Sequence, residues 1–493
     1  MACHSRKING PRASGLAMAV ARRCTMMDML LNYLFSLITL HLVVAVAAGS
    51  HVLLYKRDSR SALGWLGLIV LFPLAGALLY VLFGINRVRR KALRLSMRVE
   101  SEGGMPRAGL APAGGSCIRN VGYGITGTGL SPGNTVTAYH NGEQAYPHML
   151  QAIAGAQFEV LLSTYIFDND RTGLQFISAL AAAQERGVRI HVLVDDVGIR
   201  YSFPTILRQL KKKHLPYRRF MPLRLLPPSL SINLRTHRKL LIADRAVSFA
   251  GGMNIGDRQL LQGTSPYRAS DLHFRFEGPV TTAFAEQFAE DWRFSGGSAL
   301  QDLASGWAPA GSALCRVIAD GPDETLDSLQ LVIMGVINRA QKRVWIMTPY
   351  FLPDRTLMAC LQTTALAGVD VQVIIPQKNN WPIVQWALQH NLAELLGTGV
   401  RVLQRPPPFS HSKCILIDED YALVGSSNLD PRSLRLNFEL GIEVFDTALN
   451  RELSRHFLEV SQTCMPLNTE ILKARKTPVR LRDSAAAMFA PYL

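Results

Sequence analysis

Two stretches of this 493-residue chain place the same polar side chains at the same offsets. The first runs from His237 through Lys239, Asp244 and Gly251 to Asn254; the second runs from His411 through Lys413, Asp418 and Gly425 to Asn428. With each histidine as zero, the matches fall at +2, +7, +14 and +17 in both copies. One His-x-Lys pair carries little information, because most such pairs are surface residues. Five matched positions in two places carry much more. His and Lys two apart on a strand share a face, so imidazole and ammonium project together. Asp at +7 has odd parity and closes an apolar run (240–243 and 414–417), which places it at a strand end or hairpin turn. There it either joins the chemistry or orders the turn through backbone hydrogen bonds. The glycines allow close backbone approach, and Asn adds an amide donor.

Downstream, Asp271 in Asp-Leu-His-Phe-Arg-Phe-Glu aligns with Glu439 in Glu-Leu-Gly-Ile-Glu-Val-Phe. A carboxylate there either takes the imidazole's second nitrogen and fixes its tautomer, or pairs with a surface arginine. Asn254, Asn428, Asp271 and Glu439 form the expected substrate-binding set. His237, Lys239, Asp244, His411, Lys413 and Asp418 form the expected catalytic set. Lysine is a poor metal ligand but a good counter-charge for phosphate. Two imidazoles can divide labour, one attacking phosphorus and one protonating the departing alkoxide. Lys and Asn pairs would neutralise the non-bridging oxygens as charge builds. Such a set suits phosphodiester exchange through a phosphohistidine, with no metal and no cofactor expected.

The elements around these residues repeat as well. An apolar run at 160–165, a helical stretch at 173–186 and a second run at 188–194 recur as 344–350, 356–367 and 369–375. Both first runs end in a tyrosine, Tyr165 and Tyr350. Strand–helix–strand units of this kind predict an α/β fold in two tandem copies, forming one pseudo-symmetric unit. The expected boundaries are a basic flank 1–28, a two-helix transmembrane hairpin 29–86, a basic Gly/Pro neck 87–133, repeats at 134–300 and 301–465, and a tail 466–493.

The membrane part rests on two uncharged runs, 27 residues from Met29 to Tyr55 and 26 from Ser61 to Asn86. Each exceeds the roughly 20 apolar residues that cross a bilayer core. A signal peptide or a buried soluble hairpin is the alternative, but a secretory apolar core is about half this length. Lys and Arg number five before the first run, three between the runs and six just after the second. Both ends therefore favour the cytoplasm, which places the catalytic body on the cytoplasmic side of an inner (cell) membrane, with the chain multi-pass. The basic, acid-free residues 1–27 read as a plain flank rather than a mitochondrial transit peptide. The formal charge of +16 invites a nucleic-acid reading. Residues 1–98 alone account for +12 of it, however, and the body carries only +4. Nucleic acid is therefore not an expected partner. Seven scattered cysteines without a CxxC imply no disulfide framework or zinc site.

At the two motifs the chain resembles the phospholipase D superfamily, whose signature is a paired His-x-Lys-x4-Asp, and within it the bacterial cardiolipin synthases. The resemblance spans nearly the whole chain. It extends to Arg60, Trp65, Pro73, Gly76, Tyr80 and Gly84 in the second apolar run, to Gly251-Gly-Met-Asn254 and Glu277-Gly-Pro279, and to the stretches 425–433, Asn437-Phe-Glu439 and 489–493. Arg235-Thr-His237 stands where Arg-Asn-His is commoner, a departure that leaves the catalytic side chains intact. The resemblance implies that two phosphatidylglycerols give cardiolipin and glycerol, with one phosphatidyl group held on a histidine. It favours His237 as that nucleophile. Phosphatidylethanolamine is a donor in some relatives. Hydrolysis of phospholipid, hydrolysis of nucleic acid and a non-catalytic scaffold are the alternatives.

Three further features are weighed. The basic run Lys211–Arg219, ahead of the apolar stretch 220–230, either holds anionic headgroups or is a solvated face. Trp381 and Trp386 either pack in a core or anchor at an interface. His273, which has Gly441 as its counterpart, reads as structural.

Overall fold

The computed structural model describes residues 11–56, 59–84, 117–223, 234–301, 308–322, 325 and 327–490. The chain divides into two units, Met1–Arg87 and Val88–Leu493.

In the first unit, helix α1 (Pro11–Tyr55) contains the apolar stretch Met26–Tyr55, long enough to cross a membrane. Its side chains are largely exposed, including Phe35 at 72% and Leu54 at 76%, as lipid-facing residues would be. The second apolar run departs from the expected continuous span. It forms helices α2 (Ser59–Leu71) and α3 (Pro73–Leu79), followed by a π-turn over Tyr80–Gly84. The break has a covalent cause. Pro73 lacks an amide hydrogen, and its ring drives Phe72 out of helical geometry, to φ −137° and ψ 74°. Neither piece alone is long enough to span a bilayer core of about 30 Å. Both pack on α1 around Val52, Ile69 and Tyr80, with Tyr80 Oη 2.8 Å from His51 Nδ1 and edge-on to Trp65.

The second unit is built on one sheet with a twofold pattern. From the middle outward, one half runs β9 (Ala313–Asp320), β16 (Glu439–Phe445), β15 (Tyr421–Gly425), β14 (Cys414–Ile417), β10 (Arg343–Met347), β11 (Asp370–Pro376) and β12 (Arg401–Arg405). The other half runs β1 (Ser131–His140), β8 (Leu272–Glu277), β6 (Val247–Gly251), β5 (Leu240–Ala243), β2 (Glu159–Thr164), β3 (Arg189–Asp195) and β4 (Tyr217–Phe220). In each half β10–β12 and β2–β4 pair in parallel and the strands inside them antiparallel, with a short antiparallel edge strand, Met465–Pro466, added beyond β12. The parallel strands are near-continuous Val/Ile/Leu runs because both their faces are covered. The halves meet at β1 and β9, whose antiparallel register shifts between Ser131 and Asn134. Asn134 is buried there: its amide donates to the Ser131 and Ala313 carbonyls, and its oxygen accepts from Val280 N. One apolar layer holds side chains of both halves, among them Phe220, Phe276 and Phe288 with Trp345, Leu416 and Phe457.

Helix starts are set by short carboxylates. Asp170, Asp354, Asp430 and Asp446 each accept from the first-turn amides of their helices. Caps of this kind are worth about 1 kcal/mol each.

Two expected boundaries move. Of the neck 87–133, residues 87–116 lie outside the described residues, but helix Ile118–Thr126 and the start of β1 belong to the folded unit. The helix lies so close to the buried Arg316–Glu443 ion pair that a Cβ on Gly122 would sit 1.8 Å from Arg316 Nη1. Gly122, inside the expected neck, thus serves close packing. The tail 466–493 likewise docks. Leu467, Leu472 and Ala486 join the core, and Asp483 is buried between Arg475 and Arg482.

Candidate active site

Each motif histidine is fastened by its backbone to the opposite repeat. His237 N donates to Phe438 O at 2.9 Å, beside a parallel bridge between Thr236 and Phe438. His411 N donates to Ser270 O at 2.7 Å, at the end of a short parallel pair, β13 (Phe409–Ser410) with β7 (Ala269–Ser270). The two motifs are thereby brought together, although 174 positions separate the histidines in sequence.

The side chains repeat this exchange. His237 Nδ1 lies 3.0 Å from Glu439 Oε1 and 3.1 Å from Ser426 O. His411 Nδ1 lies 2.7 Å from Asp271 Oδ2. Asp271 and Glu439 have no side-chain exposure at all. Placement in a substrate-binding set is therefore corrected: Asp271 is spent on His411 and the Leu272 amide, Glu439 on His237, Ser426 and Asn437, and neither meets a surface arginine. With Nδ1 donating to a carboxylate, Nε2 is left as the basic nitrogen of each ring.

Burial holds both imidazoles down, to about 4, and the motif lysines reinforce the effect while Glu439 and Asp271 oppose it. Burial also lowers Lys239 to about 7 and Lys413 to about 8; nearby Glu439 and Asp271 act in the opposite direction. For Glu439, burial alone would raise the carboxyl, but His237, Lys239 and Ser426 outweigh it and leave it below its ordinary value. Lys239 Nζ caps His237 O at 2.5 Å and stands over the Tyr165 ring, 5.5 Å from its centre. Lys413 Nζ donates to His411 O at 2.7 Å and lies 3.1 and 3.2 Å from the two ring nitrogens. Burial thus lowers the proton affinity of all four motif side chains, an effect that a phosphodiester anion beside them would oppose.

Asp244 and Asp418 are not at the site. Each sits at the far end of its motif strand with a positive φ, 52° and 47°, in a hairpin turn. Asp244 accepts from Gln157, Phe158 and Glu159 N at 2.7–2.8 Å. Asp418 accepts from Gln341, Lys342 and Arg343 N. Five residues of strand put each roughly 16 Å beyond its lysine. Membership of the catalytic set is corrected to ordering of the turn.

The two asparagines are buried beside the motif glycines. Asn254 Oδ1 accepts from Ile166 N at 3.0 Å, and Asn428 Nδ2 donates to Ser433 Oγ at 3.1 Å. Asn254 thereby holds the segment that follows β2, whereas Asn428 braces the short helix Pro431–Arg435 just after its own motif.

Several residues carry the site without having been singled out. Ser426 Oγ donates to Glu439 and accepts from Leu440 N, while Asn437 Nδ2 donates to Glu439 Oε1 at 3.3 Å. In the first repeat Gly252 takes the place of Ser426, and a Cβ there would lie 2.4 Å from Asp271 Oδ1. The tyrosines that end the first runs also converge: Tyr165 is edge-on to His237 at 5.3 Å, and Tyr350 reaches His411 through Phe409. Their matched positions in the repeats were the available signal. Arg238, between the first His and Lys, is buried and donates to Glu439 O at 2.9 Å while pairing with Asp291. Its counterpart Ser412 gives no hint of this in the sequence. His273 is fully buried and held down to about 4 by burial, on the same strand face as the lysine layer. Among the described residues, no three His, Cys, Asp or Glu side chains are grouped to hold a metal ion.

The family model described as cardiolipin synthase, PLD-like domain, matches residues 149–292 and again 333–461, one copy per repeat. The phospholipase D-nuclease N-terminal model matches residues 43–84. The chain is 30% identical to cardiolipin synthase of Geobacillus kaustophilus over 89% of its own length and 90% of that protein. It is 27% identical to cardiolipin synthase 2 of Staphylococcus epidermidis, covering 93% and 97% of the two chains. The solved phosphatidylserine synthase of Haemophilus influenzae shares the fold, with a TM-score of 0.56 at 15% identity over 73% of this chain and 95% of that one. The chain belongs to the phospholipase D superfamily, and within it to the cardiolipin-synthase-like family. It is an enzyme of that superfamily, associated with the membrane through an apolar helix.

Proposed function

We propose that the protein is a phosphatidyltransferase making cardiolipin and glycerol from two phosphatidylglycerols. The observation that carries this reading is the exchange of carboxylates, by which two imidazoles of like tautomer, one from each repeat, are held in one lysine-rich site. His237 Nε2 attacks phosphorus, the bond from phosphorus to the glycerol oxygen breaks, and His411 supplies the proton to the leaving alkoxide. The phosphatidyl group is then bonded to His237. A second phosphatidylglycerol gives its hydroxyl proton to His411 and attacks phosphorus, and the P–N bond breaks. Lys239 and Lys413, with the amides of Asn254 and Asn428, neutralise the non-bridging oxygens. His411 holds a proton at the start because the phosphodiester anion, once bound, raises the affinity of a ring that is nearly unprotonated without it.

The membrane reading is of the same kind. The charge asymmetry of the flanks supports a catalytic unit on the cytoplasmic side of the cell membrane. The broken run 59–84 is read as the returning arm of a multi-pass hairpin; re-satisfaction of backbone groups by neighbouring helices is what allows a proline there.

The test is the product formed by purified full-length protein from phosphatidylglycerol alone. Cardiolipin with stoichiometric glycerol is expected. Phosphatidic acid alone would make it a hydrolase, and no product would remove the lipid assignment.

A further inference from the structure

The tyrosines that end the first runs lead outward to exposed aromatic side chains in each repeat. In the first repeat, Tyr201 is edge-on to Tyr165 at 6.2 Å and itself 47% exposed. Two residues on, Phe203 is 97% exposed. The loop beneath it is pinned: Asn169 N donates to Ser202 Oγ at 3.0 Å, and Asn169 Nδ2 donates to Pro204 O at 2.9 Å. In the second repeat, Tyr350 Oη donates to Asn380 Oδ1 at 2.7 Å, and the next residue, Trp381, is 53% exposed. Asn379 fixes that turn by accepting from Trp381 N and donating to Pro349 O. Each repeat thus holds a large aromatic out in solvent beside the tyrosine nearest its histidine. Holding apolar rings in water by dedicated hydrogen bonds is a cost without return unless something covers them.

The charge around the rims says what that cover is. Arg200 and Arg219 share one carboxylate, Asp196, which is itself fully buried, and Arg208 and Lys378 are exposed, five and three positions in sequence from Phe203 and Trp381. Exposed aromatics interleaved with Lys and Arg match the boundary between headgroups and acyl chains of an anionic leaflet. Ring and hydrogen-bond contacts run from Tyr201 through Tyr165 to His237, and from Asn380, next to Trp381, through Tyr350 and Phe409 to His411, so an occupant of the rims lies at the approach to both imidazoles.

We propose that the two rims, Tyr201–Phe203 and Trp381 with Arg200, Arg208, Arg219 and Lys378, are a docking surface for the anionic lipid bilayer. Through them the catalytic mouth is applied directly to the membrane that holds its substrate. This rests on the phospholipid reading above. Docking by the mouth explains how a site buried at the level of its carboxylates reaches a phosphodiester anchored by two acyl chains: the lipid rises a short way between the rims and never crosses water.

The experiment compares full-length wild-type protein with the Phe203→Ser, Trp381→Ser double variant on two forms of one substrate. These are dihexanoyl-phosphatidylglycerol dispersed as monomers and long-chain phosphatidylglycerol in mixed micelles. On micelles, kcat/KM should fall about tenfold, with monomer turnover unchanged within about twofold. Equal losses on both forms would mean a local catalytic role, and no loss on either would mean no docking; either result overturns the proposal. A second readout is independent of turnover. In vesicles containing brominated-chain phosphatidylglycerol, the quenched share of tryptophan emission should be smaller for Trp381→Phe than for wild type, and equal quenching overturns the proposal. If wild type turns over neither form while Trp381 is still quenched, the reaction assigned above fails and the docking surface stands.

Discussion

His411 Nδ1 and Asp271 Oδ2 lie 2.7 Å apart, though 140 positions separate the two residues and each belongs to a different repeat. His237 and Glu439 form the converse pair across 202 positions. The imidazole of each half is thus oriented by the other half.

Asp271→Asn is expected to keep the fold and lose activity. An amide of the same shape can present its NH2 to Nδ1 and stabilise the wrong tautomer. By analogy with the orienting aspartate of serine proteases, kcat should fall by about 10³- to 10⁴-fold. Glu439→Gln should behave alike. Steady-state assay beside circular dichroism checks this, and a loss under tenfold in either would reduce that carboxylate to packing.

His237→Asn and His411→Asn should each remove activity by at least about 10³-fold, because the two rings act as a unit. Half of wild-type activity in each variant would instead mean two independent sites. Acid quench with labelled phosphatidylglycerol and mapping of the phosphoramidate should place the label on His237. Label on His411 alone would reverse the roles and keep the mechanism.

The pH profile of kcat at saturating lipid, which reports the substrate-bound enzyme, should show an acid and an alkaline limb. Burial lowers His237 to about 4, so its attacking nitrogen stays unprotonated until the pH approaches that value. Burial lowers Lys239 to about 7 and Lys413 to about 8, so phosphate-binding charge is lost above neutrality. kcat should therefore fall on the acid side as His237 takes a proton and on the alkaline side as the lysines lose theirs, with both limbs lying above these ligand-free values because the bound phosphodiester anion favours the protonated forms. Stability carries the same sign. From pH 4 to 6.5 the unfolded chain binds protons that folded His411 refuses, so this residue makes stability rise with pH in that window and contributes least below 4. Apparent Tm of His411→Gln should vary less with pH there than that of wild type; an unchanged slope would contradict the burial argument.

Asp244→Ala should cost stability and leave chemistry alone. It strands three backbone amides now held at 2.7–2.8 Å, a loss on the order of 1–3 kcal/mol, visible as a lower apparent Tm. Turnover per folded molecule should stay within about threefold of wild type at low temperature. A large fall in kcat with unchanged Tm would return Asp244 to the chemistry.

Most of this arrangement was legible where chemistry and periodicity coincide. The offsets of His, Lys, Gly and Asn marked both motif strands, and the apolar runs ending in Tyr165 and Tyr350 marked their parallel neighbours. The parity of Asp244 and Asp418 already pointed away from the histidines, and only the familiar signature kept them in the catalytic set. What stayed hidden depends on which chain segment lies opposite which. The alignment of Asp271 with Glu439 is visible in sequence, but their exchange between repeats is set by the twofold relation of β8 and β16, which no local pattern encodes. Composition misled where one residue type serves two ends. Gly122 reads as linker and is packing; Pro73 reads as tolerated in a membrane helix and ends one.

The two halves that meet at β1 and β9, pinned by Asn134, lie on one polypeptide, which makes them inseparable by dilution and fixes them at one to one. Identical subunits meeting about such an axis would have to be alike at every matched position. Fused halves are free to differ, and these have: Asp271 stands against Glu439, Gly252 against Ser426, His273 against Gly441 and Arg238 against Ser412. Every one of those mismatches lies at or just behind an imidazole or lysine. Fusion has released the chain from symmetry at the place where attacker and proton donor need to be unlike.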